Sequence, residues 1–188
     1  MSEENKNAPN TEVTEKSTVS NDNPMKKIRI TKITLNIGAG KNQDMLKKGV
    51  ILLQKLSPLT PVKTTAKKRI PTWGLRVGLP IGCKVTVRKD AEQLLKRLLV
   101  ARDNILPSKS FADDGNFSFG VPEYIDIEGL EYDPDLKIMG LEVAVTLERP
   151  GFRIKNRKVT PRAVGKKHLI TKEETIKFME NKFGITVE

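Results

Sequence analysis

The sequence predicts an α+β fold of two layers: a mainly antiparallel sheet with helices on one face and an opposite face left open and basic. Three observations predict it. Apolar side chains recur with period two at 33–37, 83–87 and 141–147, and with helical spacing at 45–56, 94–105 and 176–183. Three helices suffice to cover only one face of one sheet. The alternate positions of the 83–88 stretch are Lys84, Thr86 and Arg88, side chains suited to a wet face.

The elements follow in order. Residues 28–37 alternate on either side of a phase slip at Thr31-Lys32, the pattern of a strand with a bulge, and Gly38-Ala39-Gly40 ends it. Residues 42–56 have helical spacing; Gly49 weakens that helix, and Ser57-Pro58 stops it. Residues 62–69, rich in Thr and Val, suit a strand, as do 75–79 and 83–88. Asp90 with Gln93 reads as a capping box, opening a helix whose stripe runs from Leu94 to Ile105 before Pro107. Residues 117–121 read as a short strand or turn, and 138–147 as the clearest strand. Thr171 with Glu174 is a second capping box, for a helix carrying Ile176, Met179 and Phe183; Gly184 suits the position past its end, and 185–187 a last short strand.

Charge is unevenly placed. The chain of 188 residues carries +11, and segment 1–24 has five acids and two lysines, so residues 25–188 carry +14. The polar composition of 1–24 predicts a disordered acidic tail ahead of a single domain at 25–188. Two windows hold the positive excess. Residues 61–88 contain Lys63, Lys67, Lys68, Arg69, Arg76, Lys84 and Arg88; residues 149–168 contain Arg149, Arg153, Lys155, Arg157, Lys158, Arg162, Lys166 and Lys167; neither has an acid. Mutual repulsion in such windows opposes compactness unless a polyanion offsets it, which points to nucleic acid. Residues 113–142, with nine acids and one lysine, are expected to face away from the polyanion, to face a basic protein neighbour, or simply to aid solubility.

Other chemistries fare poorly. One cysteine (Cys83) and one histidine (His168) exclude an internal disulfide and a Cys/His zinc site, and they fit a reducing, cytoplasmic setting. No stretch approaches a membrane span, and the polar N-terminus is no secretory signal. The segment "VGLPIGCKVTVR" (77–88) resembles a phosphate loop but fails its test. Gly78 and Gly82 are too close, Cys83 precedes Lys84, Val85 replaces the magnesium-binding hydroxyl, and a strand follows where a helix is required. Gly38-Ala39-Gly40 lacks the third glycine of a dinucleotide fingerprint. Cys83 reads as a small buried hydrophobe, His168 as an RNA contact or plain surface. No catalytic cluster appears, so neither an enzyme nor a cofactor or metal is expected. Trp73, Phe152 and the arginine planes suit stacking on RNA; core packing is the other reading of Trp73.

The strings "ITLNIGAG" (33–40), "TAKKRIPTWGLRVGLPIGCKVTVR" (65–88), "GNFSFGVPEY" (115–124) and "MGLEVAVTLERPGFR" (139–153) resemble, in order, the L-five family of large-subunit ribosomal proteins. The basic insertion at 149–170 resembles the archaeal and eukaryotic branch, and the short C-terminus the archaeal one. The resemblance implies a structural constituent of the large ribosomal subunit, active in translation, whose open sheet face is RNA-binding. It would bind 5S rRNA and attach it to the large rRNA in the central protuberance. The other partners implied are P-site tRNA, neighbouring central-protuberance proteins and a small-subunit head protein. The implied 5S contacts are Asn36, Gly38, Thr64, Lys67, Lys68 and Thr86, with Lys63, Arg69, Lys84 and Arg88 beside them. The loop 70–82, with Pro71, Thr72, Trp73 and Arg76, would reach tRNA and large rRNA. The basic insertion would contact rRNA. Leu59 stands where many relatives carry Gln, so that contact does not carry over, and the acidic tail lies outside the family pattern.

Overall fold

The structure is a computed structural model and describes residues 23–188. The predicted tail falls outside the described residues except for Asn23 and Pro24, which open a single helical turn.

One five-stranded antiparallel sheet forms the framework, in the order β2 (Val62–Thr65), β3 (Pro80–Val87), β1 (Arg29–Gly38), β6 (Leu141–Glu148) and β5 (Phe117–Val121). The expected bulge in β1 lies between Ile30 and Lys32. Beyond it the alternation is strict. Ile33, Leu35, Ile37, Cys83, Val85, Val87, Val143 and Val145 all point to one face and are buried. Period-two patterning thus sets the register, because a slip of one residue would turn this whole set to solvent.

Helices α1 (Gln43–Leu56) and α2 (Ala91–Val100) cover that face. Asn42 caps α1, its side-chain oxygen accepting from Asp44 and Met45 backbone N–H groups. Gly49 sits inside α1 for a packing reason. A Cβ there would lie 3.0 Å from Cys83 Sγ and 3.2 Å from Ile37 Cγ2, so the helix approaches the sheet closely only with glycine. Burial pushes the Cys83 thiol pKa up and keeps it protonated, as suits a packing residue.

After α2 the basic insertion contains two helical turns, α3 (Arg153–Asn156) and a shorter one at Lys166–His168, and the last helix is α4 (Lys172–Phe183). The Thr171–Glu174 capping box forms on both sides, and Gly184 takes the left-handed conformation past the end of α4. Thr175, fully buried, donates to the Gly115 carbonyl at 3.0 Å, and Lys182 pairs with Glu92 of α2. The segment 122–140 lies on the helix side. Tyr124, Ile127, Leu136 and Met139 enter the core, Arg97 of α2 donates to the Glu128 carbonyl, and Lys55 of α1 pairs with Asp133 at 2.6 Å. The hydrogen bond from Lys55 holds the Asp133 carboxyl below its ordinary pKa.

Four expectations are corrected. Asp90 does not cap α2 with its side chain; it takes a left-handed backbone (φ 54°) between β3 and the helix, and its carboxylate makes no hydrogen bond to the first turn. The helix stops at Val100, because Asp103 and Asn104 also adopt positive φ. Ile105 therefore leaves the helical stripe and joins β4 (Ile105–Leu106), which pairs in parallel with β7 (Thr186–Val187). The strand expected at 62–69 ends at Thr65. Residues 75–79 form no strand: Leu75 bridges only Ile70, and Gly74 and Gly78 turn the chain at positive φ.

Candidate nucleic-acid interface

The face of the sheet away from the helices carries polar and small side chains in rows fixed by the register. Val62, Lys84, Asn36, Glu142 and Gly120 form one row across all five strands. Thr64, Gly82 and Gly38 form a second, and Thr86, Thr34, Ala144 and Ser118 a third. Lys32 stands opposite Thr146 beyond them. The described helices pack on the other side of the sheet, and these rows are left as a surface.

Several expected contacts meet here. Asn36, Gly38, Thr64, Lys84 and Thr86 come from three strands and share one face. Thr64 and Gly82 are packed so tightly that a Cβ on Gly82 would lie 2.8 Å from the Ile37 carbonyl and 3.0 Å from Thr64 Oγ1. Lys63 separates from this group. Its register partner is Cys83, so it lies on the other pleat from Thr64, at the exposed edge. Lys67, Lys68 and Arg69 follow β2 in an exposed loop, and Arg88 is exposed just past β3. Among the described residues none of these bases makes an ion pair, which leaves each available to phosphate.

The loop between β2 and β3 holds Pro71, Thr72 and Trp73 in one helical turn, closed by Gly74. Ile70 and Leu75 exchange backbone hydrogen bonds at 3.1 and 3.0 Å across its neck. Trp73 is 67% exposed and Val77 68%, so core packing of the tryptophan is ruled out. Arg76 is exposed beside them. An exposed indole on a closed loop without a carboxylate is a stacking platform next to cations.

The basic insertion is built differently. Arg149 is buried to 7% exposure; its Nη2 lies 2.9 Å from both Glu174 carboxylate oxygens, and its Nη1 donates to the Leu169 carbonyl. It clamps the insertion to α4 and is not presented at the surface. His168 Nε2 donates to the Pro150 carbonyl at 2.9 Å, and its ring packs on Phe152 at 5.7 Å. The histidine therefore closes the base of the loop. Arg157 Nε donates to the Thr160 carbonyl at 2.8 Å, holding the tip. Arg153, Lys155, Lys158, Arg162, Lys166 and Lys167 are exposed around this frame.

Lys32, Thr34 and Ser118 also belong to the open face, and the alternation of β1 already implied the first two. Glu142 is the larger surprise. It belongs to the acidic segment expected to face away from a polyanion, and it stands in the central row beside Lys84 and Asn36, accepting from Asn36 Nδ2 at 3.0 Å.

The sequence that builds this surface has known relatives. Residues 23–76 match the family model described as ribosomal protein L5, and residues 80–178 match the model that describes the C-terminus of the same ribosomal family. The chain is 48% identical to large ribosomal subunit protein uL5 of Nanoarchaeum equitans, over 88% of this chain and 99% of that one. It is 46% identical to the protein of the same name from Methanococcus vannielii, over 87% and 93%. It is 43% identical to that of Nitrosopumilus maritimus, over 88% and 96%. Two family models in sequence order, and relatives matched almost end to end, establish that this chain belongs to the ribosomal protein L5 family.

Proposed function

We propose that the chain is a structural, non-catalytic constituent of the large ribosomal subunit that binds 5S rRNA and attaches it to the large rRNA of the central protuberance. The observation that carries this reading is the open sheet face. Asn36, Thr64, Lys84 and Thr86 stand on it together, with Lys67, Lys68 and Arg69 in the loop at its edge. Threonine and asparagine supply short hydrogen-bonding groups for sugar and base edges; the cations supply charge for phosphates. Residues 25–188 act as one RNA-binding unit. The Trp73 loop reaches toward P-site tRNA and large rRNA, and the exposed bases of the insertion toward rRNA. Neighbouring central-protuberance proteins and a small-subunit head protein complete the set of partners.

The test is 5S rRNA affinity as a function of salt. With five to eight phosphate contacts, log K falls against log salt with a slope of about −4 to −7. A flat dependence, or equal affinity for any RNA of that length, sinks the reading. Asn36→Ala and Thr86→Ala should lower affinity at constant slope, whereas Lys67→Ala should lower both.

A further inference from the structure

A carboxylate in the middle of a phosphate-binding face needs a reason, since like charge across an interface is costly. Glu142 is held there by the pairing of β1 with β6, which sets it opposite Asn36. Asn36 spends an Nδ2 proton on Oε2, so its own Oδ1 stays free to accept. The pair thus offers several acceptors side by side. They border a depression of about 470 Å³ where β1 ends and β6 begins. Gly38 and Gly120 lie in its lining, and a Cβ on either would meet no atom within 4 Å, so bare backbone faces open space. Gly140 is held to glycine by the Pro122 and Val121 carbonyls, 2.7 and 2.9 Å from where its Cβ would stand. Arg102, from the turn after α2, completes the rim.

We infer that this depression receives one unpaired guanine of the bound RNA, with the Glu142 carboxylate accepting from its Watson–Crick edge. The inference rests on the RNA-binding reading above. Guanine is the base with two adjacent donors on that edge, N1–H and the N2 amino group. Adenine and cytosine set an acceptor beside their donor, and uracil flanks its N3–H with two acceptors, so each turns a lone pair toward the carboxylate. Charge-assisted bonds to donors are what make the acid tolerable at this position. The glycine backbone lets a flat ring lie close. Arg102 is the cation for the phosphate of that nucleotide.

Kethoxal, which reacts at guanine N1 and N2, reads this directly. The full chain is bound to an archaeal 5S rRNA transcript and probed beside Glu142→Gln. That variant keeps an oxygen acceptor for Asn36 Nδ2, and its folding is checked by circular dichroism and melting. The native chain should slow modification of at least one unpaired guanine about ten-fold, and the variant should restore it to within about two-fold of free RNA. The variant's affinity should fall about ten-fold at an unchanged salt slope. Replacing the protected guanine by inosine, which lacks the N2 amino group, should weaken the native chain and leave the variant unaffected. Absence of any protected guanine, equal protection by the variant, or tighter binding by the variant overturns the inference while a steep salt slope leaves the RNA reading standing. Failure of the native chain to bind 5S rRNA at all overturns both.

Discussion

The two acid-free windows look alike in sequence, yet the fold holds them by different means. Residues 61–88 are organised by backbone: β2 and β3 pair in the sheet, and the loop between them closes through main-chain hydrogen bonds at Ile70 and Leu75. Its cations are spectators of folding. Residues 149–168 contain two single helical turns, at 153–156 and 166–168, and no strand, and side chains hold them: Arg149 on Glu174, His168 on Pro150 and Phe152, Arg157 on Thr160. In that window part of the positive charge is spent on the fold. A count of basic residues therefore overstates what the second window offers a polyanion and reads the first one fairly.

The largest expected effect breaks or confirms this contrast. Arg149→Ala should lower stability by about 2–3 kcal/mol, because it strips a buried guanidinium from two carboxylate contacts and a carbonyl; the partial exposure of Glu174 keeps the loss below that of a fully buried pair. Arg76→Ala in the first window should stay within about 0.5 kcal/mol. Urea unfolding of both variants checks this, and equal losses would erase the distinction. Next, Gly82→Ala should cost about 1–3 kcal/mol, since its Cβ meets the Ile37 carbonyl of the neighbouring strand at 2.8 Å and backbone cannot step aside. Gly38→Ala, with open space around it, is the matched control for stability.

Smaller effects sharpen the comparison. Phe152→Ala should cost about 1 kcal/mol, as the ring is half-buried against His168, and should speed tryptic cleavage within 153–167 while leaving the 63–76 sites unchanged. Cleavage that rises equally in both windows would mean that they share one anchor. Smallest for stability is Trp73→Ala, expected within about 0.5 kcal/mol because the side chain is 67% exposed; its effect should appear as weaker binding to large-rRNA or tRNA fragments. A large drop in melting temperature would show that the loop is a structural element after all.

Much of this molecule was legible in the chain. Period two marked β1, β3 and β6, and it marked their buried faces correctly. The Thr171–Glu174 box and Gly184 marked both ends of α4, because capping is chemistry within a few residues. The same kind of evidence misled at Asp90, which takes a left-handed backbone and makes no side-chain hydrogen bond to the helix it should have capped. It misled again at Ile105, which is 40% exposed and pairs through its backbone with Thr186, a partner the local pattern does not contain. At the interface, alternation supplied Lys84 and Thr86 on one face, whereas the register of Lys63 against Cys83 puts it on the other pleat from Thr64, which only the strand pairing shows.

By itself the sequence determined the layers, the faces and the charge, since periodicity and composition are properties of short stretches. Tertiary structure alone decided which distant residues meet. Asn36 and Glu142 are 106 residues apart and share a hydrogen bond because β1 and β6 pair in one register. Arg149 leaves the surface because α4 brings Glu174 to it. Such pairings depend on how strands and helices close on one another over long loops, and a local pattern holds no record of that closure.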